Sequence, residues 1–121
     1  MKLFRKADFA AMENQSPGQV YRQKILTVDD LANDLGGGFS LLPPGTEGPF
    51  HYHVKRESIL IIVSGEAMER IEDREIPVSA GDVLYIPPKE KHGISNRSDK
   101  DVRFIEFFTQ PPVESDIVPV E

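Results

Sequence analysis

The 121-residue chain contains no cysteine. That excludes a disulfide staple, a thiolate metal site and a cysteine nucleophile, so any bound metal must be held by nitrogen and oxygen. Nor is there an excess of basic charge. Fourteen Lys and Arg stand against twenty Asp and Glu, giving a formal net charge of -6. The basic residues are scattered, which argues against a nucleic-acid partner, since gripping phosphates needs a basic face. No apolar run is long enough to cross a bilayer, so no membrane partner is expected. The first residues, Met1 to Met12, mix Lys2, Arg5, Lys6 and Asp8 with short apolar pairs. That is not a signal-peptide core, and a cytoplasmic location is the expectation. Charged residues make up 28% and hydrophobic ones 39%, as in an ordinary soluble domain, and the length suits one hydrophobic core spanning residues 1–121.

Long helices are also absent from the pattern, as ten prolines imply. What is there is a series of short apolar stretches separated by Gly, Pro, Asn, Asp and Ser. Strands are expected at Gln19–Leu26, Phe39–Leu42, Phe50–Val54, Ser58–Val63, Glu66–Ile71, Glu75–Val78, Val83–Ile86, Gly93–Ser95 and Val102–Thr109. Strands at this spacing indicate an all-β sandwich or barrel, with a core at roughly residues 19–109 and peripheral ends. Glu72-Asp73-Arg74 reads as a hairpin tip and Ser79-Ala80-Gly81-Asp82 as a turn. At most one or two short helices fit, the best being Thr27–Leu35, where Thr27 and Asp30 resemble a capping box and Gly36 offers a C-terminal cap. Gly36-Gly37-Gly38 reads as a flexible turn, because it lacks the Lys-Ser/Thr of a phosphate loop. The charge-rich stretch Glu66 to Glu75 reads as a solvated hairpin, and the tail from Gln110 as a surface segment.

All three histidines fall in two short segments. His51 and His53 are two apart, so on a strand both point to one face, roughly 6–7 Å apart at the backbone. Glu57 can join them only if the chain turns at Val54-Lys55-Arg56, because four extended residues would carry it about 13 Å away. The charged pair Lys55-Arg56 suits an exposed turn. His92 returns from a loop steadied by Pro87 and Pro88.

These two segments resemble the two motifs of the cupin superfamily, G-x5-H-x-H-x3-E-x6-G and G-x5-P-x-G-x2-H-x3-N. Gly45, His51, His53 and Glu57 fit the first, with Gly65 following Glu57 after seven residues instead of six. Gly81, Pro87, His92 and Asn96 fit the second, with Lys89 where the motif has glycine. The resemblance implies a cupin-type jelly-roll β-barrel (a double-stranded β-helix) holding one divalent transition-metal ion on His51, His53, Glu57 and His92, and a homodimer. Four such ligands leave two adjacent positions on an octahedral ion, an open site of the catalytic kind. The donor set does not choose among Fe, Mn, Ni, Zn, Cu and Co.

The leading functional expectation is a mononuclear non-haem metalloenzyme acting on a small polar molecule, with dioxygenase-, isomerase-, decarboxylase- or lyase-type chemistry. The alternative is a non-catalytic small-ligand-binding or sensor cupin. If Phe104 and Phe108 face inward, Glu106 shares their face and is a candidate catalytic base; the opposite register buries Ile105 and Phe107 and leaves Glu106 in water. Arg70, Tyr85 and Arg103 are candidates for the substrate pocket.

Overall fold

A computed structural model describes residues 1–5, 7, 20–26, 32, 34–109 and 116–121. Every element assigned among them is a strand: Tyr21–Leu26 (β1), Leu35–Leu42 (β2), His51–His53 (β3), Ser58–Ser64 (β4), Glu66–Ile71 (β5), Arg74–Ser79 (β6), Val83–Ile86 (β7), His92–Ser95 (β8), Val102–Thr109 (β9) and Ile117–Pro119 (β10). They form two five-stranded antiparallel sheets, ordered β1-β2-β9-β4-β7 and β10-β3-β8-β5-β6. The all-β jelly roll expected from the sequence is what the chain forms. Period-two alternation drives it: on β4 the side chains of Ser58, Leu60 and Ile62 are buried while Ile59 and Val63 are exposed. Leu42, Leu60, Ile62 and Phe104 of the first sheet meet Ala67, Val78 and Ile94 of the second in the central core. Each of these side chains larger than alanine stabilises by roughly 1.5–3 kcal/mol relative to exposure. A second cluster, Ile25, Phe39 and Leu41, lies outside this core, and Phe4 stands edge-on against Phe39 at 6.1 Å.

Several local expectations need correcting. Gly36, Gly37 and Gly38 are not a turn: they lie inside β2. A side chain at Gly36 or Gly37 would collide with the rings of Phe108 and Phe107, which pack over them. Leu35 opens that strand, so it is not helical, and residues 27–31 and 33 of the helical candidate lie outside the described residues. The tail does more than cover a surface, for Ile117–Pro119 pairs with β3 and becomes a sheet edge; residues 110–115 lie outside the described residues. At the motif's glycine position Lys89 takes φ 69°, so the loop keeps the left-handed backbone without the glycine that would adopt it freely. Gly65 sits at φ 88° beside a register shift between Ile62 and Ser64, and a Cβ there would lie 2.5 Å from the Asp101 carbonyl oxygen.

The barrel is not sealed all round. β6 and β7 are the edge strands of the two sheets on the same side, joined by the turn at Ala80–Asp82, and no hydrogen-bonded ladder joins them. No helix among the described residues is long and apolar enough to cross a membrane.

Candidate metal centre

β3 and β8 run antiparallel with His51 directly opposite His92. Alternation along β3 then turns His53 to the same inward face. Ring centroids are 4.3 Å apart for His51 and His92, 4.9 Å for His51 and His53, and 5.6 Å for His53 and His92. One nitrogen from each ring lies within 4.8 Å of the others. Two tautomers are fixed by the backbone. Nδ1–H of His51 donates to the Pro49 carbonyl and Nδ1–H of His92 to the Glu90 carbonyl, each at 2.8 Å. A carbonyl can only accept, so each Nε2 keeps its lone pair, as a metal ligand must. Nδ1 of His53 is buried with no hydrogen-bond partner. Burial, with the Arg56 guanidinium adding to it, holds His53 down at about 4; burial holds His51 down at about 4 against the bond to Pro49. His92 is lowered by burial too. Three neutral imidazoles, two of them oriented and one unsatisfied, are a donor set able to hold a divalent ion.

Glu57 does not belong to this group. The chain turns at Val54–Arg56 as expected, clamped where the amides of Lys55 and Arg56 donate to Asp116 Oδ2 at 2.9 and 2.8 Å. Glu57 nevertheless falls on the outward parity of the run into β4, and its carboxylate accepts the Tyr85 hydroxyl at 2.7 Å on the exposed face. The inward position is Ser58, 2% exposed. Counting six residues back from Gly65 reaches Ser58, whereas counting three on from His53 reaches Glu57. Arg56 likewise is not exposed. It is 1% accessible, stacked 4.0 Å from the Phe108 ring centroid, with Nε donating to the Thr109 carbonyl.

The cavity beside the histidines holds about 60 Å³, walled by Leu60, Phe104 and Ile94 among others. Two carboxyl groups line it. Glu106 stands opposite Leu60 on β4, and Phe104 of the same parity is buried, so the inward register is the one adopted; Arg22 donates to Glu106 at 3.5 Å. Glu69 was missed by sequence reading. It is 1% exposed and neither carboxyl oxygen has a hydrogen-bond partner. Burial, reinforced by the charges of Glu106 and Glu90, pushes it up to about 8. Its neighbours of equal parity, Ala67 and Ile71, were the sequence signal, masked by Met68 on the opposite face. Arg70, Tyr85 and Arg103 do not reach this cavity. Arg70 is exposed on the outer face of β5 and lies over the Phe50 ring at 3.9 Å, Tyr85 bonds Glu57, and Arg103 sits 4.0 Å from Asp101. Asn96 plays a structural part: wholly buried, its Nδ2 donates to the Leu42 and Lys100 carbonyls.

Residues 38–108 match the Cupin domain family. An oxalate-binding protein from Thermotoga maritima is 33% identical over 64 residues, 53% of this chain and 53% of that protein. The chain spans about half or less of the length of the curated relatives it matches. An uncharacterised double-stranded β-helix protein from Klebsiella pneumoniae superposes with a TM-score of 0.81 at 21% identity, covering 100% of this chain and 98% of that one. The polyketide cyclase RemF from Streptomyces resistomycificus gives 0.79 at 22%, covering 100% and 86%. At such identities these likenesses speak for the fold.

Proposed function

The chain belongs to the cupin family, and on that premise we propose that it is a mononuclear metalloenzyme catalysing proton-transfer chemistry, of isomerase, lyase or cyclase type, on a small oxygenated molecule. The observation that carries this reading is Glu69: a buried carboxyl, unpartnered, in the wall of the cavity that the three histidines share. His51, His53 and His92 would hold the ion, which when bound supplies Lewis acidity to a substrate oxygen. Glu57, the expected carboxylate ligand, bonds Tyr85 on the outer face, which leaves the two carboxyl groups of the cavity for proton movement. Their environments differ. Glu69, buried and unpartnered, keeps its proton at neutral pH and can give it up, while Glu106 is bonded to Arg22. Two carboxyl groups in contrasting environments are the pattern of an acid–base pair. Glu69 is closed off from bulk water, while Glu106 keeps partial contact with it. Iron with dioxygenase chemistry would need no such pair.

The test is solvent-deuterium incorporation into a panel of hydroxy acids, oxo acids, sugars and phenolic ketones by the metal-loaded protein, followed by NMR. Exchange lost in Glu69→Gln, with metal content unchanged, supports the reading; undiminished exchange in that variant refutes it. Oxygen consumption without exchange would point to a dioxygenase, and binding without turnover to the non-catalytic alternative. Exposed Ile59, Val63 and Val83 on the outer face of β4 and β7 support a homodimer, which sedimentation velocity would test.

A further inference from the structure

Glu69 has a second side. Besides the histidine cavity it lines a separate, wider groove of about 440 Å³, open to solvent, at the seam between β6 and β7. The seam exists because those two edges do not pair, and it is lined mainly by apolar residues. Ile76 stands directly opposite Glu69 in the β5–β6 ladder, and so shares its inward face, yet is 37% exposed. Ile71, Val78, Leu84 and Ile86 continue the wall. An inward-facing isoleucine left in water is a sheet interior waiting for cover. Charged groups sit among them: Arg74 at the hairpin end, Asp82 at the turn, and Glu90.

The two spaces differ in what they can take. The histidine cavity has room for about two water-sized groups. The open seam groove has room for a body of small-molecule size, within the roughly 300–1,000 Å³ of ordinary sites. Glu69 is the wall common to both; its carboxyl oxygens are covered, so a group passing from one to the other must swing that side chain aside. We propose that the β6–β7 seam binds the body of an elongated, mostly apolar molecule with an oxygenated end group, which passes Glu69 toward the three histidines. The substrate class is then an apolar hydroxy or oxo compound, not a free sugar or a small diacid. This rests on the metalloenzyme reading only for the end group's destination; the seam site stands on its own geometry.

The probe is 2-naphthol, titrated into the full chain with and without zinc and followed by amide shifts. Saturable shifts confined to residues 69–78 and 82–86 are expected. Ile76→Glu weakens binding by about tenfold or more, since it sets an unpaired carboxylate against the ring. Ile76→Trp, which fills the seam and keeps the wall apolar, weakens it as well, and Ile76→Val retains it. Shifts centred elsewhere, or affinity undiminished from the unsubstituted protein in Ile76→Glu and Ile76→Trp, overturn the seam site. Naphthol binding at the seam in a protein that takes up no metal would leave the seam site standing and remove the metalloenzyme reading. Tight binding of oxalate at the histidines, with no naphthol bound, would do the reverse.

Discussion

Replacing Glu69 by glutamine keeps the shape of the side chain and removes its charge, isolating what burial of this carboxyl does to stability. In the metal-free protein it titrates at about 8, against an ordinary 4.5. Between those values the native state holds a proton that the unfolded chain has released. Each pH unit in that window therefore subtracts about 1.4 kcal/mol from the unfolding free energy, on the order of 5 kcal/mol in all. The contribution is fully present below the ordinary value and is lost as pH rises through about 8. The histidines run the other way. Burial holds His51 and His53 at about 4, so below 6.5 the unfolded chain takes up protons that the native state refuses, and stability falls as pH falls. From pH 6.5 to about 8 Glu69 acts alone among these groups. Across that span the unsubstituted protein should lose about 2 kcal/mol relative to Glu69→Gln. Urea denaturation in the presence of a chelator, at several pH values between about 6.5 and 9, measures it. Two parallel stability profiles would refute the argument. Zinc should flatten the difference, because a nearby cation favours the ionised carboxylate.

Other perturbations test other parts of the site. His92→Ala leaves two imidazoles and should lower metal affinity by about 100-fold or more, read by elemental analysis after dialysis, while the fold survives in circular dichroism. Glu57→Ala should leave metal stoichiometry unchanged and cost at most about 1 kcal/mol, for it removes one exposed hydrogen bond from Tyr85. Loss of the metal in that variant would show that Glu57 ligates after all. Gly65→Ala should destabilise by roughly 2–4 kcal/mol in chemical denaturation, combining a left-handed backbone with a clash against the Asp101 carbonyl.

The fold and the histidines were legible because both follow from period two. His51 and His53 differ by two, and the turn residues between strands are Gly, Pro and Asp. Glu57 was not, because its role depends on where the turn at Val54–Arg56 releases the chain, and a shift of one residue exchanges inside for outside. Glu106 hung on the same one-residue choice, settled by its pairing with Leu60 on a neighbouring strand. Glu69 was hidden by composition. The six charged residues of Glu66–Arg74 read as solvent-facing, and only the ladder to Ile94 and Ile76 shows that one of them faces in. Local pattern specifies parity, and tertiary pairing decides which parity is interior.

The pairing of β10 with β3 has a consequence in time. Ile117 pairs with His53 and Pro119 with His51, while Asp116 clamps the turn that follows. During synthesis at about 5–20 residues per second, roughly 3 to 13 s pass between addition of His53 and of Ile117. Through that interval the strand carrying two of the three histidines has one edge uncovered.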